Sequence, residues 1–280
     1  MKKVLFVMLA VCLLCVGGVV MSHAAVDITE EFTDLNFRAA VYGMIHKTTS
    51  APIYNTDVAE IRSVDVSDRN IKDLAGLKWF REVEIFYCDG NQLTELPALR
   101  EGLKELNCAG NALTALPALP DSLMFLDCYN NQLTSLPKLP DHLRILNCAG
   151  NLLTALPTLP PEIYQLMCND NELETLPVLP AELNYLFCEN NKLIGLDVTS
   201  LTDLHALYCF FNNMTSKDAV VGFTGEWDGE HFIFDPQNEA TDPDPDPDPD
   251  SDAPFWSTWP PILVSLLRYV LFGWLWMNWF

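Results

Sequence analysis

Seven cysteines each stand three residues before an asparagine, and the pairs recur along the chain at a nearly constant step. They are Cys88 and Asn91, Cys108 and Asn111, Cys128 and Asn131, Cys148 and Asn151, Cys168 and Asn171, Cys188 and Asn191, and Cys209 and Asn212. The step is 20 residues five times and then 21. A unit this short cannot bury an apolar face alone, so its repetition predicts a solenoid whose core forms by stacking. That architecture excludes most enzyme folds, but it leaves the ligand unspecified.

Counted from the asparagine, apolar residues fall at −8, −5, −3, +2, +5 and +8. For Asn111 these are Leu103, Leu106, Cys108, Leu113, Leu116 and Leu119. This is the leucine-rich repeat pattern with cysteine in its third apolar place. Positions −6 to −2 alternate, which predicts a short parallel strand with Leu106 and Cys108 inward and Glu105, Asn107 and Ala109 on the concave face. The asparagine, at the inward turn, carries both donors and acceptors. A column of them can satisfy backbone groups that water cannot reach. Prolines at every third place, as in Pro137 and Pro140, forbid a helix on the convex side and predict extended, polyproline-like chain there. The fold class expected is α/β by classification: a right-handed leucine-rich repeat solenoid with parallel strands on the concave face and a small helical N-terminal cap.

These residues resemble short-repeat bacterial leucine-rich proteins, over about Asp34 to Asn213. The L-P-x-L-P stretches resemble repeats of secreted effector ubiquitin ligases. The upstream segment resembles the internalin type, with Ile61, Val64, Val66, Ile71, Leu74 and Leu77 as its apolar set. Arg69 occupies the asparagine place there and departs from the pattern. The resemblance implies a surface or secreted protein; its fold content is specific and its functional content is not.

The expected organisation is a signal peptide over 1–24, an N-terminal cap over 25–62, about eight repeats over 63–216 and a C-terminal cap over 217–241. An acidic Asp-Pro linker over 242–253 and a hydrophobic membrane or sorting tail over 254–280 follow. Lys2, Lys3, the apolar run and Ser22-His23-Ala24 carry the first assignment. In the cap, Asp34 suits a helix N-cap with Phe37, Val41, Met44 and Ile45 on one face, and a second helix starts at Asn55. After Asn212 the repeat pattern fails, and Gly225 to Asp235 reads as a closing hairpin. The alternating Asp and Pro from Asp242 to Asp250 predict an extended spacer of roughly 28 Å. Ile262 to Phe280, as a helix of about 28 Å, approaches the hydrocarbon thickness. Its tryptophans suit the interfaces, and Arg268 costs roughly 2.5–3.5 kcal/mol near the centre.

Export ordinarily goes with disulfides. Here the seven mature cysteines are odd in number and occupy equivalent inward places, which predicts a column of free, buried thiols. A net charge of −22 argues against a nucleic-acid partner. No catalytic set, phosphate-binding loop or metal-ligand spacing is present in the sequence, so no catalytic residue, metal or cofactor is assigned. His46, His142 and His205 lie apart in sequence and read as incidental.

The concave positions are rich in rings. Tyr87, Phe125, Tyr129, Met167, Tyr185, Phe187, Tyr208 and Phe210 are the candidate contacts, with the span from Tyr185 to Phe210 as their centre. The function expected is a non-enzymatic cell-surface recognition protein that binds a protein, peptide or glycan and is held at the envelope by its tail. The alternatives are a structural envelope spacer and, further off, the repeat module of an effector-type ubiquitin ligase lacking its catalytic domain.

Overall fold

The computed structural model describes residues 25–238. The signal peptide, the Asp-Pro linker and the hydrophobic tail read from the sequence lie outside the described residues. Within them no helix is long and apolar enough to cross a membrane.

The repeats coil into a solenoid with one parallel sheet along its inner side. Its strands are β1 (Ser63–Asp65), β2 (Ile85–Tyr87), β3 (Glu105–Asn107), β4 (Phe125–Asp127), β5 (Ile145–Asn147), β6 (Gln165–Met167) and β7 (Tyr185–Phe187). A two-residue strand off this sheet, β8 (Leu196–Asp197), precedes β9 (Ala206–Tyr208); β10 (Val220–Val221) and β11 (Phe232–Ile233) end the series. The main sheet runs β1 to β7, then β9 and β11, while β8 and β10 pair separately on the flank.

Register follows the repeat. Phe86, Leu106, Leu126, Leu146, Leu166, Leu186 and Leu207 are successive partners across the sheet, all inward and at most 1% exposed. A one-residue slip would turn this whole leucine row outward, so the apolar pattern holds the pairing. The proline segments between β2 and β7 contain no helix, consistent with the missing N–H groups.

The N-terminal end is closed by helices α1 (Leu35–Met44) and α2 (Asn55–Val58). Asp34 caps α1, accepting from the N–H groups of Asn36 and Phe37 at 2.8 and 3.0 Å. Its second oxygen accepts from Lys72 N–H at 2.8 Å, tying the cap to the first coil. Phe32, Phe37 and Phe80 fill the space between, fully buried, with ring centroids 5.4 to 6.4 Å apart. Gly76 completes this joint: its φ is +100°, and a Cβ there would lie 2.5 Å from the Phe32 ring.

The C-terminal end differs from the sequence expectation. Gly225 to Asp235 is not a closing hairpin. Phe232–Ile233 adds to β9 as a parallel strand, with Phe232 beside Leu207 and Ile233 beside Tyr208. The segment thus forms a ninth coil. Phe234 lies in the place that cysteine holds in earlier coils and is 4% exposed.

Candidate functional site

The inward columns account for the two most regular residues. The seven repeat cysteines are free and buried. Burial pushes the Cys148 and Cys209 thiols up to about 12, with the Asp127 charge adding at Cys148 and those of Glu189 and Asp235 at Cys209. Thiols so placed are poor nucleophiles. Cys108 and Cys128 instead donate weakly to the carbonyls of Asp127 and Asn147 on the next coil, at 3.5 and 3.4 Å.

Each asparagine bridges two coils. Asn151 Oδ1 accepts from Leu133 N–H at 3.0 Å. Its Nδ2 faces the carbonyls of Cys128, Cys148 and Ala149 at 3.0 to 3.1 Å. Asn111, Asn131, Asn171, Asn191 and Asn212 repeat this arrangement, each accepting from an N–H of the preceding coil and donating back to its cysteine carbonyl. Asn91 accepts from both Arg69 and Ile71 N–H of the first coil, where Arg69 stands in the asparagine place. The residue before each of these asparagines has a left-handed backbone. Gly, Asn or Asp fills that place from Gly90 to Asn190, and Phe211 holds it at φ 49°.

The outward positions form three columns across the inner sheet. The middle column reads Tyr87, Asn107, Asp127, Asn147, Met167, Phe187 and Tyr208, with three polar residues and Met167 between aromatic ends. Neighbouring coils crowd its centre. Met167, expected among the ligand contacts, is 3% exposed and lies beside Gln165, whose Nε2 is 3.7 Å from its sulfur. It is a packing residue on this face rather than an open contact. Asp127 and Asn147 are buried as well. Burial pushes the Asp127 carboxyl up to about 6, against hydrogen bonds from Tyr129 and Asn147 that hold it down.

The C-terminal half of the face brings rings together. Phe187 meets Tyr208 edge-on at 5.0 Å; Tyr208 lies 6.3 Å from Phe210, and Phe210 lies 5.2 Å from Phe211. Tyr185 stacks on His205 at 5.6 Å, so a histidine read as incidental belongs to the same surface. All except the exposed His205 are partly exposed. The Tyr208 hydroxyl donates to the Glu230 carbonyl at 2.9 Å, fixing that ring against the ninth coil. Tyr87, Phe125 and Tyr129 lie several coils away. Tyr87 is tied down by a 2.8 Å hydrogen bond to Glu105, and Tyr129 is 46% exposed.

Glu189 follows Phe187 on the outward face, near enough to Tyr208 to add its charge to the burial that raises that hydroxyl. It is 6% exposed, and its Oε2 has no hydrogen-bond partner. Burial pushes its carboxyl up to about 8, with Asp170 adding to the shift. Sequence spacing places Glu189 outward, in a position where a glutamate is ordinarily solvated; its burial comes from its neighbours on adjacent coils. Among the described residues, no group of three or more His, Cys, Asp or Glu side chains is placed to hold a metal ion.

Comparison with known proteins agrees with this architecture. No protein-family model and no curated protein matches the chain. Among solved structures, internalin C2 from Listeria monocytogenes aligns over 70% of this chain and 92% of its own, with a TM-score of 0.56 at 17% identity. That likeness is one of fold: the chain is a leucine-rich repeat solenoid. YopM from Yersinia enterocolitica is 37% identical over 47% of this chain, with a TM-score of 0.46, and this chain covers only 29% of its length. The functional domain of InlJ from Listeria monocytogenes, described as including a cysteine ladder, is 24% identical over 69% of this chain and 53% of its own, with a TM-score of 0.45.

Proposed function

We propose that this protein is a non-enzymatic recognition protein that binds a protein or peptide through the C-terminal half of its concave face. The observation that carries the reading is the ring cluster of Phe187, Tyr208 and Phe210, extended by Tyr185 on His205. Large rings that stay partly exposed on a rigid parallel sheet resemble the aromatic centres of protein interfaces. The stacked coils hold them in place, so little ordering entropy is lost on binding. The leader-like N-terminus, the acidic spacer and the apolar tail in the sequence support an exported protein held at the envelope, with the repeats presented outward.

The test replaces Tyr185, Phe187, Tyr208 and Phe210 together with serine. Partners are cross-linked at the cell surface and each is then measured in purified form against both chains. The expected result is a protein that binds the native chain saturably and the variant at least tenfold more weakly, with circular dichroism unchanged. Equal binding to both chains, or retention of a glycan alone, would overturn the reading. Localisation is tested separately: the mature chain should require detergent, and removal of Ile262 to Phe280 should release it to the medium.

A further inference from the structure

From β2 to β9 the outward positions of the inner sheet carry no basic side chain; His205 stacks on Tyr185 at their edge, and the register sets His231 beside Ala206 in the ninth coil. The seven coils from β2 to β9 place three residues each on the concave face, and none is Lys, Arg or His, whereas Asp89, Glu105, Asp127 and Glu189 are acids. The basic residues of the same coils sit off this face. Lys104 pairs with Glu84, Arg144 with Glu162 and Lys192 with Glu172. A face built this way attracts cations and repels anions, and the net charge of −22 extends that preference beyond contact range.

Three of these acids have internal partners. Asp89 accepts from Ser67, Glu105 from Tyr87, and Asp127 from Tyr129 N–H. Glu189 differs. Its main chain continues the coil-to-coil ladder, since its carbonyl accepts from Asp170 N–H at 3.1 Å. Its carboxyl takes a hydrogen bond from its own backbone N–H, but Oε2 is closed off from water and accepts nothing. A buried carboxyl oxygen without a partner costs free energy, and a ligand that pairs it would recover that cost. The extended register places Glu189 between Asn169 on one coil and Phe210 on the next, beside Phe187 and Tyr208.

We propose that Glu189 and the rings of Phe187, Tyr208 and Phe210 receive a single lysine or arginine side chain presented by a protein partner. The inference rests on the recognition reading above and specifies its ligand chemistry. The rings offer negative π-faces to a cation, and the carboxylate supplies its counter-charge where water is excluded. Entry requires the partly exposed Phe210 ring to rotate aside, a fast motion for a side chain at a surface, while Tyr208 stays held by its bond to Glu230. The free acid holds a proton at neutral pH. On binding, its O–H bond breaks, the proton leaves to solvent, and the carboxylate accepts a charge-assisted hydrogen bond from the ligand N–H. The ionisable groups facing Glu189 are Asp170 on the preceding coil, Tyr208 and Cys209 on the following one, and Cys168 and Cys188 in the column beneath. None of them brings a positive charge to compete with the ligand.

The full chain in non-ionic detergent is titrated with N-acetyl-arginine amide, N-acetyl-lysine amide and the uncharged N-acetyl-norleucine amide, followed by NMR. The two basic amides are expected to saturate and to shift signals of residues 187 to 210, and to bind at least tenfold more weakly at pH 6 than at pH 8. Glu189→Gln, nearly isosteric, should weaken them at least tenfold at pH 8 and remove the pH dependence. Val178→Ser, at an exposed place in a proline segment away from the inner sheet, should leave binding unchanged. Equal binding of norleucine amide, no effect of Glu189→Gln, or no saturable binding of either basic amide overturns the proposal. If the four-serine variant still loses a protein partner while the basic amides fail, only this inference falls. If that variant keeps its partners, the recognition reading falls too.

Discussion

Gln237 donates through Nε2 to the carbonyl of Cys209 at 3.0 Å, taking in the ninth coil the place asparagine takes in the seven coils before it. Its Oε1 accepts from Met214 N–H at 3.4 Å and from Asn212 N–H at 3.2 Å, and its Nε2 also reaches the Phe234 carbonyl. A longer side chain thus ends the same column. Gln237→Ala strips partners from these groups and should lower stability by about 2 kcal/mol. Hydrogen exchange should show the loss first at Leu207 and Cys209, which donate to the last coil. A uniform loss across all coils would contradict the end-rung role.

An interior rung should cost more. Asn151 is buried and serves one N–H and three carbonyls. Asn151→Ala leaves them unpaired where water does not reach, and about 3 kcal/mol of stability should be lost in urea unfolding. Asn111 makes the same bonds but is only half-buried, so water can replace part of what Asn111→Ala removes. Its cost should be roughly half as large.

Stability should fall as pH rises through the neutral range. Folding lifts Glu189 from 4.5 to about 8 and Asp127 from 3.8 to about 6. Between those limits the unfolded chain releases protons that the folded chain keeps, so rising pH favours unfolding until about pH 8. Comparing the native chain with Glu189→Gln isolates the larger contribution. The variant should gain on the order of 3 kcal/mol relative to the native chain between pH 5 and pH 8, by denaturant midpoints at each pH. Parallel profiles for the two chains would show that Glu189 is not buried in this way.

The thiols should be silent. With all seven repeat cysteines buried and Cys148 and Cys209 pushed up to about 12, a disulfide reagent at pH 8 should label none of these seven in the folded chain. Denaturant should expose all seven at once if the solenoid unfolds cooperatively. Prompt labelling of one or two without denaturant would reveal an open or frayed coil.

Asp34 links the cap to the repeats. Burial raises its carboxyl, but N–H donation from Lys72, Phe37 and Asn36 outweighs that and leaves it below its ordinary value. Asp34→Ala removes both the helix cap and the bond to Lys72, and should cost about 1–2 kcal/mol near neutral pH. Because the folded carboxyl is the stronger acid, that contribution is present above about pH 4 and is lost as pH falls through the folded value. Thermal unfolding at pH 7 and pH 3 should show the variant's deficit shrinking in acid.

By itself the sequence determined the coil. A 20-residue period with leucine, cysteine and asparagine at fixed offsets admits one stacking, because only that register buries the inward strand leucines and lets each asparagine serve the coil before it. The helix at Asp34 was legible from its cap and apolar face. The ninth coil was not: Phe232, Phe234 and Gln237 keep the offsets of the repeat, but Gln237 arrives 25 residues after Asn212 and all three are other side chains. The tertiary structure alone decided which concave residues face water. Alternation places Met167, Gln165, Asp127 and Glu189 outward, yet all four are buried, because exposure there depends on side chains one coil away on each side. A strand's own pattern states which way a residue points, and only the packed neighbours state whether any room remains.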